Sequence, residues 1–130
     1  MIEPVSNSVN YQLASKLLDA SVMRHEAIAT NIANAETPGF RRIDVAPDFS
    51  RALRAQFATG GKPKASDIAA LNPHLAVDAE VRAVRPDGNS VEMEQELMAM
   101  SRNRVDHEFL TDLVSRHIKQ LKMAITGRSI

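Results

Sequence analysis

A helix stop in the first third of the chain limits how it can fold more than any other feature. Residues 9–35 have apolar and small side chains at spacings of four and three, the pattern of one long helix. We expect it to start near Ser6 to Ser8, because serine is a good N-cap. Thr37-Pro38-Gly39 must end this helix, because proline lacks a backbone donor and pushes the preceding residue into an extended conformation. The predicted seam of the helix consists of Ala14, Leu18, Ser21, His25, Ile28, Ile32 and Ala35.

A second and longer helix is predicted over residues 89–126. Asn89 or Ser90 is its predicted N-cap, and Gly127 is its predicted C-cap. Glu92, Glu94 and Glu96 are interpreted as a solvated acidic helix start, which suits the helix dipole. The predicted apolar stripe begins with Val91, Met98 and Val105 and continues through Phe109, Leu110, Leu113, Val114, Ile118, Leu121 and Ile125.

The connecting segment, residues 36–88, holds most of the prolines and glycines. Residues 48–57 favour a short helix, with Phe49, Leu53 and Phe57 on one face. Residues 58–66 have the composition of a linker, and the alternation over residues 75–83 weakly indicates a strand. The predicted fold class is all-α: two long helices joined by a largely irregular loop with a short helix or a β-hairpin.

The two helices are too long for a compact chain of this size. At 1.5 Å per residue they would measure about 40 and 57 Å. Such helices in a small protein indicate a coiled coil, within the chain or with other copies, and we expect neighbouring subunits to complete the core. The predicted packing residues are Leu18, Ile28, Ile32, Leu113, Val114, Ile118 and Leu121.

The composition argues against several classes of partner. The 130 residues include 16 basic and 16 acidic side chains, so no net charge attracts nucleic acid or an anionic membrane. No apolar run is long enough for a membrane helix, and there is no cysteine. The first five residues lack the layout of a cleaved signal peptide, so we expect a cytoplasmic protein or export by another route.

No enzyme, cofactor or metal site is predicted. His25, His74, His107 and His117 have no ligand spacing, and no phosphate-binding or nucleophile motif occurs. Arg41 and Arg42 alternate with acidic residues, which indicates salt bridges or interface charge rather than a phosphate track. The residues alone therefore favour a protein that assembles with other proteins.

Two segments carry a resemblance to a known family. The decapeptide Asn31-Ile-Ala-Asn-Ala-Glu-Thr-Pro-Gly-Phe40 closely resembles the N-terminal signature of bacterial flagellar rod and hook proteins. Asp87-Gly-Asn-Ser-Val-Glu-Met-Glu-Gln-Glu-Leu97 is similar to the segment that opens the C-terminal helix of that family. Only about fifty residues separate the two helices, too few for the inserted domains of hook and distal rod members, so the length favours a proximal rod subunit. Two proximal rod proteins are of similar length, and the sequence favours one of them.

The resemblance implies a structural subunit that self-assembles with other rod proteins into the helical drive shaft. It also implies N- and C-terminal helices paired as a coiled coil, export without a cleaved signal through the flagellar type III apparatus, and a place in the rod that crosses the periplasm. The implied partners are other copies, other rod proteins, and the adaptor and export gate at the rod base. A cytoplasmic coiled-coil adaptor or export chaperone is the alternative.

The decapeptide is the predicted assembly motif. The residues expected to take part in assembly are Asn31, Ile32, Asn34, Thr37, Pro38, Gly39 and Phe40. We expect Asn31 and Asn34 to hydrogen-bond the backbone of the turn at residues 36–40. Phe40 is expected to bury its ring against an adjacent subunit.

Overall fold

The first long helix begins where the sequence predicts. A computed structural model describes residues 8–58, 60–80 and 83–128. Helix α1 spans Val9–Ala33, and the Ser8 side chain caps it by accepting a hydrogen bond from the Tyr11 N–H at 3.2 Å. The helix ends two residues before the predicted end, because Asn34 leaves the helical conformation and its side-chain amide donates to the Thr30 carbonyl. The other candidate start near Ser6 lies outside the described residues.

The second long helix, α4, spans Met93–Thr126 and starts later than predicted. The prediction that Asn89 or Ser90 caps it is wrong, because Glu92 occupies the N-cap position and both other side chains bond the segment after α1. The C-terminal prediction is confirmed: Gly127 has φ +64° and its N–H donates to the Met123 carbonyl at 2.8 Å.

The connection contains more regular structure than predicted. Strand β1 is Ile43–Val45, helix α2 is Pro47–Ala58, helix α3 is Ala65–Ala69 and strand β2 is Leu75–Val77. The predicted short helix is confirmed as α2, whereas α3 was not predicted, because it has only five residues and begins inside the linker-like stretch. The strands pair antiparallel, with Asp44 opposite Ala76, but two helices separate them, so they do not form a tight hairpin. The all-α description therefore omits this small sheet, and Val81 of the predicted strand lies outside the described residues.

The two long helices run antiparallel. Asn31 near the end of α1 bonds Glu96 near the start of α4, and Ser21 further back on α1 bonds Asn103. Several side chains on the surface of α1 that faces α4 are small, which allows the two helices to approach each other closely. Its fully buried positions include Ala14, Ser21 and Ile28, and those of α4 are Glu96, Asn103 and Leu110.

Both buried series have seven-residue spacing, but the predicted stripe of α4 is only partly correct: Leu110 is buried and Leu113, Val114 and Leu121 are half-buried, whereas its first half along the helix is wrong. Met98 and Val105 are exposed, and the buried series lies two residues before them along the helix. Polar residues occupy two of its three positions, so hydrophobic periodicity did not indicate it. On α1 the seam is correct at most positions, although His25 is exposed.

The hydrophobic core lies beside α1, where α2 and α3 cover it. Its buried residues are Ala20, Phe49, Leu53 and Ile68, with Val9, Leu13, Leu17 and Leu71 packed around them. Phe49 and Leu53 lie one turn apart on α2, as predicted. Phe57 lies at the end of the same helix and is 45% exposed, because no core residue reaches it.

Two phenylalanines of α2 provide a matched test of this core. We expect Phe49→Ala to lower the free energy of unfolding by about 3–5 kcal/mol, because it leaves a cavity. Phe57→Ala should cost less, about 1 kcal/mol, because nearly half of that residue is already exposed to solvent and it lies outside the core. Urea unfolding followed by circular dichroism measures both values, and equal costs would contradict the placement of the core.

Candidate assembly site

A tight turn follows the end of α1. The Thr37 N–H donates to the Asn34 carbonyl at 3.0 Å, and the Phe40 N–H donates to the Thr37 carbonyl at 3.3 Å. Gly39 has φ +74°, a conformation that residues with a Cβ atom adopt at a cost. Thr37, Pro38 and Gly39 are exposed, so the turn presents its tip to the surroundings.

One distant side chain holds this turn from behind. The fully buried Asn89 amide donates to the carbonyls of Asn34, Ala35 and Thr37 at 2.9, 3.0 and 2.8 Å. Its oxygen accepts from the Val91 N–H at 2.8 Å. Carbonyls that a helix end leaves without partners are therefore satisfied inside the protein.

The loop before α4 packs directly against the turn. The Gly39 N–H donates to the Asp87 carbonyl at 2.8 Å, and the Ser90 N–H donates to the Phe40 carbonyl at 3.1 Å. A Cβ atom on Gly88 would lie 3.3 Å from the Gly39 Cα, so the two backbones approach closely where both glycines have positive φ. The turn and this loop form one structural unit.

Asn31 does not bond the predicted turn. Its side-chain amide instead pairs with the backbone of Ile43, donating to the carbonyl at 2.8 Å and accepting from the N–H at 2.9 Å. It also donates to Glu96 Oε2 at 3.2 Å. The prediction for Asn31 is wrong because this side chain faces β1 and α4, where it occupies the place of a neighbouring strand beside Ile43.

A buried ion pair lies next to Asn31. The Arg42 guanidinium donates to Glu96, which is fully buried, and also to Asp44 at 3.1 Å and Asp78 at 2.9 Å. The interpretation of Glu96 as solvated is therefore wrong. Burial disfavours the charged guanidinium, but the hydrogen bond and charge of Glu96, followed by those of Asp44, outweigh it and raise the pKa of Arg42.

A lateral network joins the middle of the two long helices. The Asn103 amide donates to the Ser21 carbonyl at 2.9 Å, and the Ser21 hydroxyl lies 3.4 Å from Asn103 Oδ1 and 3.5 Å from His107 Nδ1.

In the described residues no three His, Asp or Glu side chains form a group that could hold a metal ion. Among the described helices, none has an apolar stretch that could span a lipid bilayer.

Comparison with known proteins identifies the family. No family model matches the chain. It is 33% identical to the flagellar basal body rod protein FlgB of Aeromonas hydrophila, over 80% of this chain and 83% of the relative. It is 34% identical to FlgB of Cereibacter sphaeroides over 80% of this chain and 84% of the relative, and 25% identical to FlgB of Escherichia coli K12 over 92% and 93%. The chain belongs to the FlgB family.

Membership of the FlgB family gives the chain its place in the cell. It is a structural component of the proximal rod in the flagellar basal body. The sibling rod protein FlgC, the other member of similar length, is not favoured. The family resemblance predicted from the decapeptide is confirmed.

Within this FlgB family fold, the predicted motif residues occupy different environments. Asn31 is buried, whereas Ile32, Asn34 and Phe40 are half-buried. Asn34 donates to the Thr30 carbonyl at 2.9 Å and accepts from the Thr37 hydroxyl at 3.2 Å, so it bonds the turn through a side chain rather than through the predicted backbone groups. Phe40 is largely covered by its own chain, and only part of the residue remains exposed.

The predicted packing residues also differ in how deeply they are buried. Ile28 is buried, and Leu18, Leu113, Val114 and Leu121 are half-buried. Ile118 is 52% exposed, so it does not contribute to the buried surface between α1 and α4.

Sequence reasoning missed Asn89, Glu96 and Asn103 as residues that hold the site. Each resembles an ordinary helix-cap or surface residue when considered alone. A signal existed in their spacing, because Glu96, Asn103 and Leu110 recur every seven residues opposite the small residues of α1. Asn89 had no such signal, since its partners lie more than fifty residues away.

The buried ion pair generates a prediction that can be tested against an adjacent arginine. We expect Arg42→Met to lower the free energy of unfolding by about 3–5 kcal/mol, because it leaves Glu96 buried without its cation. Arg41→Met is the control, since Arg41 is exposed. Adding Glu96→Leu to Arg42→Met should recover part of the loss in a double-mutant cycle. Equal urea midpoints for the two single variants would contradict this account.

Proposed function

We propose that this FlgB family member works as a packing element of the rod, through the exposed apolar side of α4 and the turn after α1. It binds other copies of itself and other rod proteins, and at the rod base it meets the adaptor and export gate. It carries out no catalysis. Residues 1–130 act as a single rod-type helical unit, and the two long helices transmit torque by packing as a coiled coil with each other and with neighbours.

The observation that carries this proposal is the apolar surface along α4. Val105 is 64% exposed, Phe109 62% and Ile125 75%. Isolated exposed apolar residues are common, but these recur from the first turn of α4 to its last and on more than one side of it, as expected of a helix that packs against several neighbours. The exposed apolar residues of α4 are Met93, Leu97, Met98, Val105, Phe109, Ile118, Met123 and Ile125.

The lengths of the two helices support the same conclusion. Asn103 lies opposite Ser21, and α1 extends only twelve residues further back to Val9, whereas α4 extends 23 residues further to Thr126. The end of α4 therefore reaches beyond the start of α1 by about 16 Å at 1.5 Å per residue. Ile118 and Ile125 lie on this extension, where a neighbouring subunit can cover them.

Export is part of this proposal. The protein leaves the cytoplasm uncleaved through the flagellar type III apparatus and assembles in the periplasm. A cytoplasmic adaptor or chaperone of the same shape would remain inside the cell. Fractionation of cells with and without a working export gate separates the two functions, because only the rod subunit should appear outside in a gate-dependent manner.

The surface of α4 can be tested with two lysine substitutions. We expect Val105→Lys to leave the free energy of unfolding within about 0.5 kcal/mol of the native value, because the side chain is solvated in the free subunit. Assembled rods, counted in basal-body preparations, should decrease at least about tenfold, because the change would bury an unpaired charge at the contact. Thr111→Lys, which adds the same charge at another exposed position, is the control. Normal rods with Val105→Lys would contradict the assignment of this surface.

The turn can be tested through Asn34. We expect Asn34→Leu to leave export intact but to reduce rod assembly and swimming, because the turn loses two side-chain hydrogen bonds worth about 1 kcal/mol each. Asn10→Leu, at an exposed position of α1, should swim normally. Complementation of a strain that lacks its own copy gives both measurements. If Asn34→Leu swims as well as the control, the turn has no role in assembly.

A further inference from the structure

The shape of the turn depends mainly on bonds that come from far along the chain. Within the turn there are two backbone hydrogen bonds, one of them 3.3 Å long, and an exposed bond between Thr37 and Asn34. Residues 85–90 supply the rest, including an Arg85 guanidinium bond to the Ala35 carbonyl. A turn with so few local bonds does not hold one conformation by itself.

Asn89 makes the largest contribution to these distant bonds. Its amide group contacts three carbonyls from the turn and the end of α1. Both Asn89 and Ala35 are buried, so water cannot replace the bond between them. Two further bonds fix the residue itself: its oxygen accepts from the Val91 N–H, and its N–H donates to Asp87 Oδ1 at 3.0 Å. The side chain is therefore held in one orientation before the turn packs on it.

The segment that carries Asn89 leads directly into α4. Three residues after Asn89 comes the N-cap of α4, and Glu96 in its first turn is held by Arg42 and Asn31. Docking of the start of α4 on the end of α1 therefore places Asn89 beneath the turn.

We propose that Asn89 is the positioning residue of the turn, and that it makes the shape of the turn conditional on docking of the segment before α4. A subunit whose two ends have not yet paired then lacks the formed turn. This inference rests on the proposed role of the turn in assembly, but the geometry that it predicts belongs to the single subunit.

An isosteric substitution tests the proposal. Asn89→Asp keeps the size of the side chain and the acceptor for Val91, but it removes both donors to the three carbonyls. Asn72→Asp is the matched control, because Asn72 is exposed and its oxygen accepts from Lys16. The purified full chain is followed by amide hydrogen exchange in ¹H–¹⁵N NMR spectra.

We expect Asn89→Asp to accelerate exchange of the Thr37, Gly39 and Phe40 amides at least about tenfold, because the turn loses its supporting bonds. The Leu71 amide, which bonds the Ile68 carbonyl in the core, should keep its native rate in both variants. A change that affected only packing would not separate these two groups of amides. If Asn89→Asp unfolds the whole chain, Asn89→Ser, which retains one donor, is used in its place with the same expectation at a smaller magnitude.

Three results would overturn the proposal: native exchange of the turn amides in these variants, equal acceleration at Leu71 in Asn89→Ser, or turn amides that are unprotected in the native chain. Rod assembly by the same variants is measured separately. A loosened turn with normal rods would refute the proposed function of the turn and leave the role of Asn89 standing.

Discussion

The buried pair of Arg42 and Glu96 ties together four parts of the chain. Arg42 precedes β1, and its guanidinium contacts Glu96 of α4 and Asp78, which follows β2. Asn31 of α1 joins the group by donating to the other oxygen of Glu96. Burying two charges costs several kcal/mol for each ion, which the attraction between them repays only when further hydrogen bonds complete their shells. Here those bonds come from elements that are far apart in sequence. The pair therefore forms only in the correct arrangement, and its contribution lies more in selecting that arrangement than in raw stability.

Buried polar contacts also occur further along the interface between α1 and α4. At the buried seven-residue positions, α4 has Glu96 and Asn103, and α1 has the small residue Ser21 opposite Asn103. A polar seam fixes the register of two helices, because a shift along the axis would leave buried donors and acceptors without partners. It also contributes little apolar burial. Most of the large apolar side chains of α4 consequently remain on its outer surface.

The parts of the fold that local signals determine could be predicted from the sequence. Ser8 before α1, Gly127 after α4 and the phenylalanine spacing of α2 each act within a few residues, and each was correct. The predicted start of α4 was wrong. Asn89 has the chemistry of a helix cap, but its side-chain amide donates to a segment more than fifty residues away. In the first half of α4 the predicted buried stripe was wrong for a related reason, although Leu110 was placed correctly. Hydrophobic periodicity finds apolar seams, and this seam is polar.

An inner seam with buried polar residues and an outer surface with several exposed apolar residues suit a subunit that completes its core in an assembly. The internal contacts specify which surfaces of the two helices face each other, but they stabilise the free subunit only modestly. In the proposed assembly, most of the hydrophobic stabilisation comes from the contact between α4 and its neighbours. The turn after α1 fits the same order of events, because its partners arrive with the start of α4. If Asn89 positions the turn as proposed, pairing of the two chain ends precedes presentation of the turn. A neighbour that recognises both the turn and the outer surface of α4 selects subunits whose ends are already joined.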